Sequence, residues 1–269
     1  MSTRMLNRFL KERAGDRKLF VPFITAGDGG LGFTERAVLA LERAGADAVE
    51  LGVPFSDPLA DGKVIQRASE RALRSGTRLP GVLETVRRIR RRSQVPILLM
   101  GYLNPFLHPS LEHTALAASR AGVDGFIIPD LPPEAAEEYR WRDLCRRRRL
   151  DTVFLVTPNS PSDRIRRACE ASTGYVYYVS VTGITGVRRG LPADLAAGVS
   201  RAKIYTPLPV LVGFGVSEPS QAAAVARVAD GVIVGSALIR ALEQGRGADD
   251  ALRRMTRLAR ALSKAVKNT

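Results

Sequence analysis

Three carboxylates stand close together in the run VELGVPFSDPLADG at residues 49–62. Glu50 lies in a short apolar segment typical of a buried strand, whereas Asp57 and Asp61 lie in a following segment that proline and glycine interrupt. A carboxylate is costly to bury, so an acid inside an apolar strand indicates a function. A second acid on a loop can be brought beside it to build an acid/base site. The ordinary alternative is a structural glutamate followed by two turn-forming aspartates.

Glycine-bearing segments at residues 182–186, 213–217 and 235–237 follow the last predicted strands. The latter two precede helical patterns, so backbone N–H groups at a helix N-terminus would face one ligand. Glycine lets the backbone approach an anion, and Ser236 can donate a further hydrogen bond. Because α/β barrels often hold phosphate after their seventh and eighth strands, these segments predict a phosphate-bearing ligand.

Other kinds of catalytic site are disfavoured. A Schiff-base site needs a lysine presented by an apolar strand, but Lys18 precedes the first predicted strand and Lys203 falls in a polar connection. The histidines, His108 and His113, have poor spacing for a metal site, and no glycine-rich nucleotide fingerprint follows the first strand. We therefore expect no metal and no cofactor, and carboxylate acid/base chemistry on a phosphorylated, largely apolar substrate.

The elements that must position these residues alternate short β-branched runs with longer helical patterns, which indicates βαβ units and a parallel sheet. This pattern predicts a single α/β domain over residues 1–269, a (β/α)8 TIM barrel with an N-terminal helix; an open doubly wound sheet is the alternative. Strands are predicted near residues 20–24, 48–51, 97–100, 125–128, 152–156, 175–179, 210–212 and 232–234, and helices, among others, at 34–44, 82–92, 134–149, 221–228, 237–243 and 249–264.

A weak internal repeat supports the strand count. Asp47, Asp124 and Asp230 each stand between the end of a helical pattern and the start of a strand. The aspartate side chain at such a place can bond the turn into the strand.

Barrels of this kind place the active site at the C-terminal ends of the strands. Glu50 lies on the second strand and Asp61 on the loop after it. The apolar candidates in or near the C-terminal halves of other strands are Phe23, Met100, Ile128 and Tyr177. An apolar lining with few acids suits a flat hydrophobic ligand, although each apolar residue alone is as well explained by the core.

Composition excludes several classes of protein. The chain has 269 residues, 45% of them hydrophobic, which is enough for a sizeable core. No apolar run approaches the length of a membrane span, and the two cysteines, Cys145 and Cys169, fit a reducing cytoplasm. The net charge of +14 comes from arginine runs scattered over separate helices, with aromatic residues at only 6%. Solvated helix faces explain this better than nucleic-acid binding.

The run at residues 49–62 resembles the signature of the tryptophan synthase alpha subunit family. Four further segments resemble that family in the same order: LMGYLNP at 99–105, PDLPPE at 129–134, YVSVTGITG at 178–186 and GFGVS at 213–217. The similarity runs from about residue 20 to residue 239. It implies cleavage of indole-3-glycerol phosphate to indole and glyceraldehyde 3-phosphate, without metal or imine.

The resemblance implies a role for each site residue. Glu50 would be the general acid/base, and Asp61 would bond the indole N–H and stabilise the cationic intermediate. The residues expected to contact the indole or the phosphate are Phe23, Met100, Tyr177, Thr185, Gly186, Gly215, Ile233, Gly235 and Ser236. Thr185 would also help to close the site and order Asp61.

The resemblance also implies a partner, the tryptophan synthase beta subunit, in an α2β2 heterotetramer. Asp57 and Pro58 would lie on the partner surface. A stand-alone lyase that releases free indole and a non-catalytic scaffold are the alternatives. Lys63 stands where the family usually has proline, and we hypothesise that it either favours ionised Asp61 or loosens the loop.

Overall fold

Parallel strands form one curved sheet in the computed structural model, which describes residues 3–180, 194–213 and 215–269. Their bounds are Leu19–Thr25 (β1), Val49–Gly52 (β2), Ile97–Met100 (β3), Gly125–Ile127 (β4), Asp151–Val153 (β5), Leu155–Val156 (β6), Val176–Val179 (β7), Val210–Gly213 (β8) and Gly231–Val234 (β9). The sheet order is β5-β4-β3-β2-β1-β9-β8-β7-β6. The two edge strands are consecutive in the chain and separated only by Phe154. The predicted strand 152–156 is therefore one stretch in two segments, and the predicted (β/α)8 barrel is confirmed.

Helices surround the strands. Their bounds are Arg4–Ala14 (α1), Leu31–Arg43 (α2), Lys63–Arg74 (α3), Leu79–Arg90 (α4), Leu103–Phe106 (α5), Leu111–Ala121 (α6), Pro133–Glu138 (α7), Trp141–Arg147 (α8), Ser162–Ala171 (α9), Leu195–Lys203 (α10), Pro219–Ala226 (α11), Ser236–Glu243 (α12) and Ala248–Lys267 (α13). Within residues 3–180, 194–213 and 215–269, no helix is both long and apolar enough to span a membrane.

Two details differ from the sequence prediction. The helix predicted over residues 134–149 is broken into α7 and α8, because Arg140 adopts a left-handed conformation with φ of 51°. The break turns the buried Trp141 ring onto Phe126, with 5.0 Å between ring centroids. Lys203, expected in a polar connection, is the last residue of α10 and forms an ion pair with Asp230 at 2.7 Å.

Alternate residues of each strand point into the barrel, since successive side chains of a strand face opposite sides of the sheet. The inner cluster is apolar and includes Leu19, Val21, Ala48, Leu98, Ile127, Val153, Tyr175, Tyr177, Leu211 and Ile233. The predicted N-terminal helix is confirmed: Met5 and Phe9 of α1 belong to the same cluster. Leu10, on the outer side of the same helix, is 51% exposed.

The repeated aspartates bond neighbouring strands together, whereas the sequence predicts only that each can bond its own turn into the strand. A side-chain oxygen of Asp47 accepts from the backbone N–H of Phe20 at 2.8 Å. Asp124 and Asp230 do the same for Ile97 at 2.7 Å and Val210 at 2.9 Å. Each of these carboxylates therefore ties the start of its own strand to the start of an adjacent one.

Cations neutralise these carboxylates. Asp124, which is buried, bonds Arg4 of α1 at 2.9 Å and Arg90 of α4 at 2.5 Å. Asp47 bonds Arg8 and Lys267, each at 2.8 Å, so the first and last helices are both fixed to the N-terminal end of the barrel.

Asp124→Ala would leave the largely buried Arg90 guanidinium without its carboxylate. We expect the free energy of unfolding to fall by about 3–5 kcal/mol, measured by urea denaturation. Glu84→Ala is the control, because it breaks an exposed pair with Arg87 and should cost less than about 1 kcal/mol. Equal losses in the two variants would contradict the structural role of Asp124.

Candidate functional site

Glu50 lies on β2 with its side chain inside the barrel and fully buried. In register it stands between Phe23 of β1 and Leu98 of β3. The Tyr175 hydroxyl donates a short hydrogen bond to Oε1, whereas Oε2 is buried with no hydrogen-bond partner among the described residues. Burial raises the pKa of Glu50 to about 8, and the Tyr175 hydrogen bond opposes this rise. The side chain therefore holds a proton at neutral pH.

Asp61 precedes α3 by two residues and is partly buried. Its backbone is held in place, since its N–H bonds the Pro58 carbonyl at 3.0 Å and its own carbonyl accepts from the Gln66 amide at 2.8 Å. Burial raises the pKa of Asp61 to about 6, and a hydrogen bond from the Tyr102 side chain opposes this rise. Exposed Lys63 is not among the causes of this shift. Near pH 7 the carboxyl group is mostly ionised.

Tyr102 supports the loop that carries Asp61. Its hydroxyl oxygen accepts from the Ala60 backbone N–H at 2.8 Å, and its ring lies 5.3 Å from the Phe55 ring. Burial, with Asp61 adding a smaller effect, raises the pKa of Tyr102 to about 12. The hydroxyl therefore stays protonated and can donate to the Asp61 carboxylate.

The two acids share a third neighbour. The pKa of Tyr177 is raised well above its usual value by burial, then by the negative charges of Glu50 and Asp61. Both carboxyl groups thus lie close enough to act on the same phenol. They hold different protonation states at one pH, as an acid/base pair requires.

Apolar side chains line the cavity beside Asp61. Phe23 and Met100 line a small cavity of about 20 Å³ together with Asp61 and Ile65. The Phe23 ring packs against glycines of both neighbouring strands. A Cβ at Gly52 would lie 2.6 Å from its Cζ, and one at Gly235 would lie 3.1 Å from its Cδ1. Side chains at these positions would displace the ring from the barrel mouth.

Ile128 is not part of this lining. Because β4 alternates, Ile127 points into the barrel, and Ile128 packs in the outer core between sheet and helices. Ile128 was predicted, with Phe23, Met100 and Tyr177, to lie at the site; for Ile128 this prediction was wrong by one residue along the strand.

Gly215 and Gly235, from the two glycine-bearing segments after β8 and β9, both follow the C-terminal end of a strand. Gly235 directly precedes α12, whose first residue is Ser236, so the unpaired backbone N–H groups of that helix face the barrel mouth. Ile233 lies two residues before Gly235 on the inner face of β9. Gly215 follows β8 with φ of 80°. Thr185 and Gly186 lie outside the described residues.

Tyr175 and Tyr102 were missed by the sequence argument. The signal was present, since Tyr175 stands two residues before Tyr177 and Tyr102 two residues after Met100, and residues two apart in an extended segment share a face. Asp57, by contrast, is exposed, and its side chain accepts a hydrogen bond from the neighbouring Ser56 hydroxyl.

Comparison with known proteins gives consistent results. A family model described as tryptophan synthase alpha chain matches residues 9–267. The tryptophan synthase alpha chain of Citrifermentans bemidjiense is 51% identical over 248 residues, 92% of either chain. That of Geobacter sulfurreducens is 51% identical over 242 residues, covering 90% of this chain and 91% of the other. The crystal structure of tryptophan synthase subunit alpha from Legionella pneumophila covers all of both chains with a TM-score of 0.92 at 37% identity.

The burial of Glu50 predicts a pH-dependent stability. Its pKa is higher in the folded than in the unfolded chain, so its stabilising effect is complete below about pH 4.5 and is lost as pH rises toward 8. In the parent chain the free energy of unfolding should fall by on the order of 4 kcal/mol over this pH range, and we expect Glu50→Gln to remove that fall. Urea denaturation of both proteins between these pH values tests this; parallel curves would show that Glu50 ionises freely when folded.

Proposed function

The chain belongs to the tryptophan synthase alpha chain family, and from this premise we propose how its residues cleave indole-3-glycerol phosphate. The activity is the lyase activity of that family, in tryptophan biosynthesis, with indole and glyceraldehyde 3-phosphate as products. The observation that carries the proposed division of roles is that a fully buried, protonated Glu50 and an ionised Asp61 both act on the phenol of Tyr177.

Glu50 is the general acid and base of the reaction. Its proton goes to the indole ring carbon that carries the glycerol chain, which turns that carbon into a leaving group. The carboxylate so formed then takes the proton of the glycerol hydroxyl next to the breaking bond. As the carbon–carbon bond breaks, the hydroxyl becomes the aldehyde and Glu50 is protonated again. A pKa of about 8 supports this role, because the proton is present at neutral pH and is not held too tightly.

Asp61 stabilises the positive charge that protonation creates. Its carboxylate accepts the hydrogen bond of the indole N–H, and the attraction grows as the ring becomes cationic. The surrounding apolar side chains strengthen this interaction, because they lower the local dielectric constant. A pKa of about 6 supports the role, since the group is largely ionised at the pH where Glu50 is still protonated.

The remaining predicted residues bind the two ends of the substrate. The indole packs on Phe23, Met100, Tyr177 and Ile233. The phosphate binds the N–H groups at the start of α12, with Gly215, Gly235 and Ser236. Gly186, which lies outside the described residues, also binds the phosphate, and Thr185, outside them too, helps to close the site and order Asp61. A cavity of about 20 Å³ is too small for an indole ring. Substrate binding therefore requires the loop between β2 and α3, residues 53–62 (the Asp61 loop), to move outward and then close.

A beta subunit is the partner of this family, and we assign its docking surface to the outer side of the Asp61 loop, in an α2β2 assembly. Asp57 is exposed and Leu59 is 92% exposed there. A large apolar side chain so open to water is typical of a surface that a partner covers. Docking at this loop would couple partner binding to the position of Asp61.

The rate of lysis should fall at both acid and alkaline pH. Activity requires ionised Asp61 and protonated Glu50, so kcat/KM should be largest between about pH 6 and about pH 8 and fall on either side. We expect Glu50→Gln and Asp61→Asn each to lower kcat by about 100-fold or more. Steady-state release of glyceraldehyde 3-phosphate measures this, and a fully active Glu50→Gln enzyme would refute the assignment.

Adding a tryptophan synthase beta subunit should raise the lysis rate of the purified chain by about tenfold or more, since partner binding favours the closed loop. Leu59→Asp should raise the beta-subunit concentration needed for half of that effect. High activity alone with no stimulation would instead identify a stand-alone lyase that releases free indole. No activity in either assay would identify a non-catalytic scaffold.

A further inference from the structure

Thr25 is a buried polar residue at the barrel mouth that the mechanism above does not use. It is the last residue of β1, two residues after Phe23, so both side chains point to the inside of the sheet. In register it faces Gly52, which has no side chain to cover it. The residue is 4% exposed, and its Oγ1 has no hydrogen-bond partner among the described residues.

An orphan hydroxyl in such a place is unfavourable. Folding removes its hydrogen bonds to water and supplies nothing in return. Valine has nearly the same shape without the hydroxyl and would avoid this loss. Most buried polar atoms in proteins have a hydrogen-bond partner, so the unpaired Thr25 hydroxyl needs an explanation, and the function of the site can supply one.

The neighbours of Thr25 indicate which group its hydroxyl meets. Thr25 lines the same cavity of about 20 Å³ as Asp61, Tyr102 and Ser69. A cavity of this size holds about one water molecule, so little water is available to the polar groups that line it. The Tyr102 hydroxyl already accepts from Ala60 and bonds Asp61. Asp61, as a carboxylate, can accept further hydrogen bonds.

We propose that Thr25 is a positioning residue for Asp61, whose carboxylate accepts a hydrogen bond from the Thr25 hydroxyl when the loop closes on the substrate. One carboxylate oxygen is then held from within the barrel by Thr25, and the other faces the indole N–H. This inference rests on the role proposed for Asp61. It adds an anchor on a rigid strand to the one that Tyr102 supplies from the loop after β3.

The effect should be visible in the titration of Asp61. Tyr102 bonds this carboxyl, and Asp130 acts in turn on Tyr102. The Tyr177 phenol lies near enough to be affected by Asp61 and by Glu50, and Lys63 is exposed two residues away. None of them changes charge when Thr25 is replaced. A hydrogen bond to a carboxylate favours its ionised form, so loss of the Thr25 hydroxyl should raise the pKa of Asp61.

The test compares Thr25→Val and Thr25→Ser with the parent chain in steady-state lysis of indole-3-glycerol phosphate, from about pH 5 to about pH 9. We expect Thr25→Val to lower kcat by about tenfold with a smaller change in KM, and to move the acid limb of the profile to higher pH. Thr25→Ser keeps a hydroxyl and should retain both properties. The Tm of Thr25→Val should be unchanged or raised, because an unpaired buried hydroxyl is removed.

Thr34→Val is a matched control. Thr34 is buried too, but its hydroxyl bonds the Gly27 N–H at 2.9 Å and the Gly30 carbonyl at 3.1 Å. Its loss should lower the Tm without moving the acid limb. A Thr25→Val enzyme with the parent kcat and an unmoved acid limb would overturn the proposal, as would losses that Thr25→Ser shares.

Asp61→Asn separates this inference from the proposed function. If Asp61→Asn keeps full activity, the role of Asp61 fails and that of Thr25 with it. If Asp61→Asn is impaired and Thr25→Val is normal, only the inference about Thr25 fails. If Thr25 acts through Asp61, the double variant should be no worse than Asp61→Asn alone, whereas additive losses would show an independent role.

Discussion

The desolvation of one carboxyl group, that of Glu50, is the constraint on which the site depends. A charged carboxylate inside an apolar barrel is so unfavourable that the group keeps its proton to about pH 8. The barrel supplies no counter-charge to it among the described residues, only the Tyr175 hydroxyl on one oxygen. This apolar surrounding converts an ordinary acid into a proton donor at neutral pH. The packing of the inner cluster is thus part of the chemistry.

The N-terminal end of the same barrel treats carboxylates in the opposite way. Asp47 and Asp124 are as buried as Glu50, but each is paired with two cations and bonded to a backbone N–H. Paired in this way, a buried acid stabilises the strand starts and the docking of helices against them. The barrel therefore separates stability at one end from reactivity at the other.

The second acid lies on a segment that is less firmly held. Asp61 stands on a loop that a few hydrogen bonds hold in place. The same loop carries exposed residues such as Leu59. A rigid acid on a strand and a movable acid on a loop allow the substrate to bind before the pair is complete. In the proposed mechanism, motion of this loop controls the charge stabilisation, while the proton donor stays in place.

Much of the fold follows from the sequence alone. The alternation of apolar runs and helical patterns, with Asp47, Asp124 and Asp230 at strand starts, is local information, and it predicted the barrel. The broken helix at Arg140 was not predicted, because burial of the distant partners Trp141 and Phe126 decides it. Ile128 was assigned to the wrong face of the sheet for a related reason. Successive residues of a strand face opposite sides, so an error of one residue changes the side on which the side chain lies.

The chemical types of the site residues were also determined by the sequence: Glu50 in an apolar strand, Asp61 in a loop, and glycines before α12. Only the tertiary structure decided their protonation states and which side chains surround them. Tyr175 is far from Glu50 along the chain, yet its hydroxyl bonds the Glu50 carboxyl group. Thr25 lies on a different strand from the loop of Asp61, yet both line one cavity. Residue type is a property of the chain, whereas pKa and hydrogen bonding depend on how much water and which neighbours the fold leaves around each group.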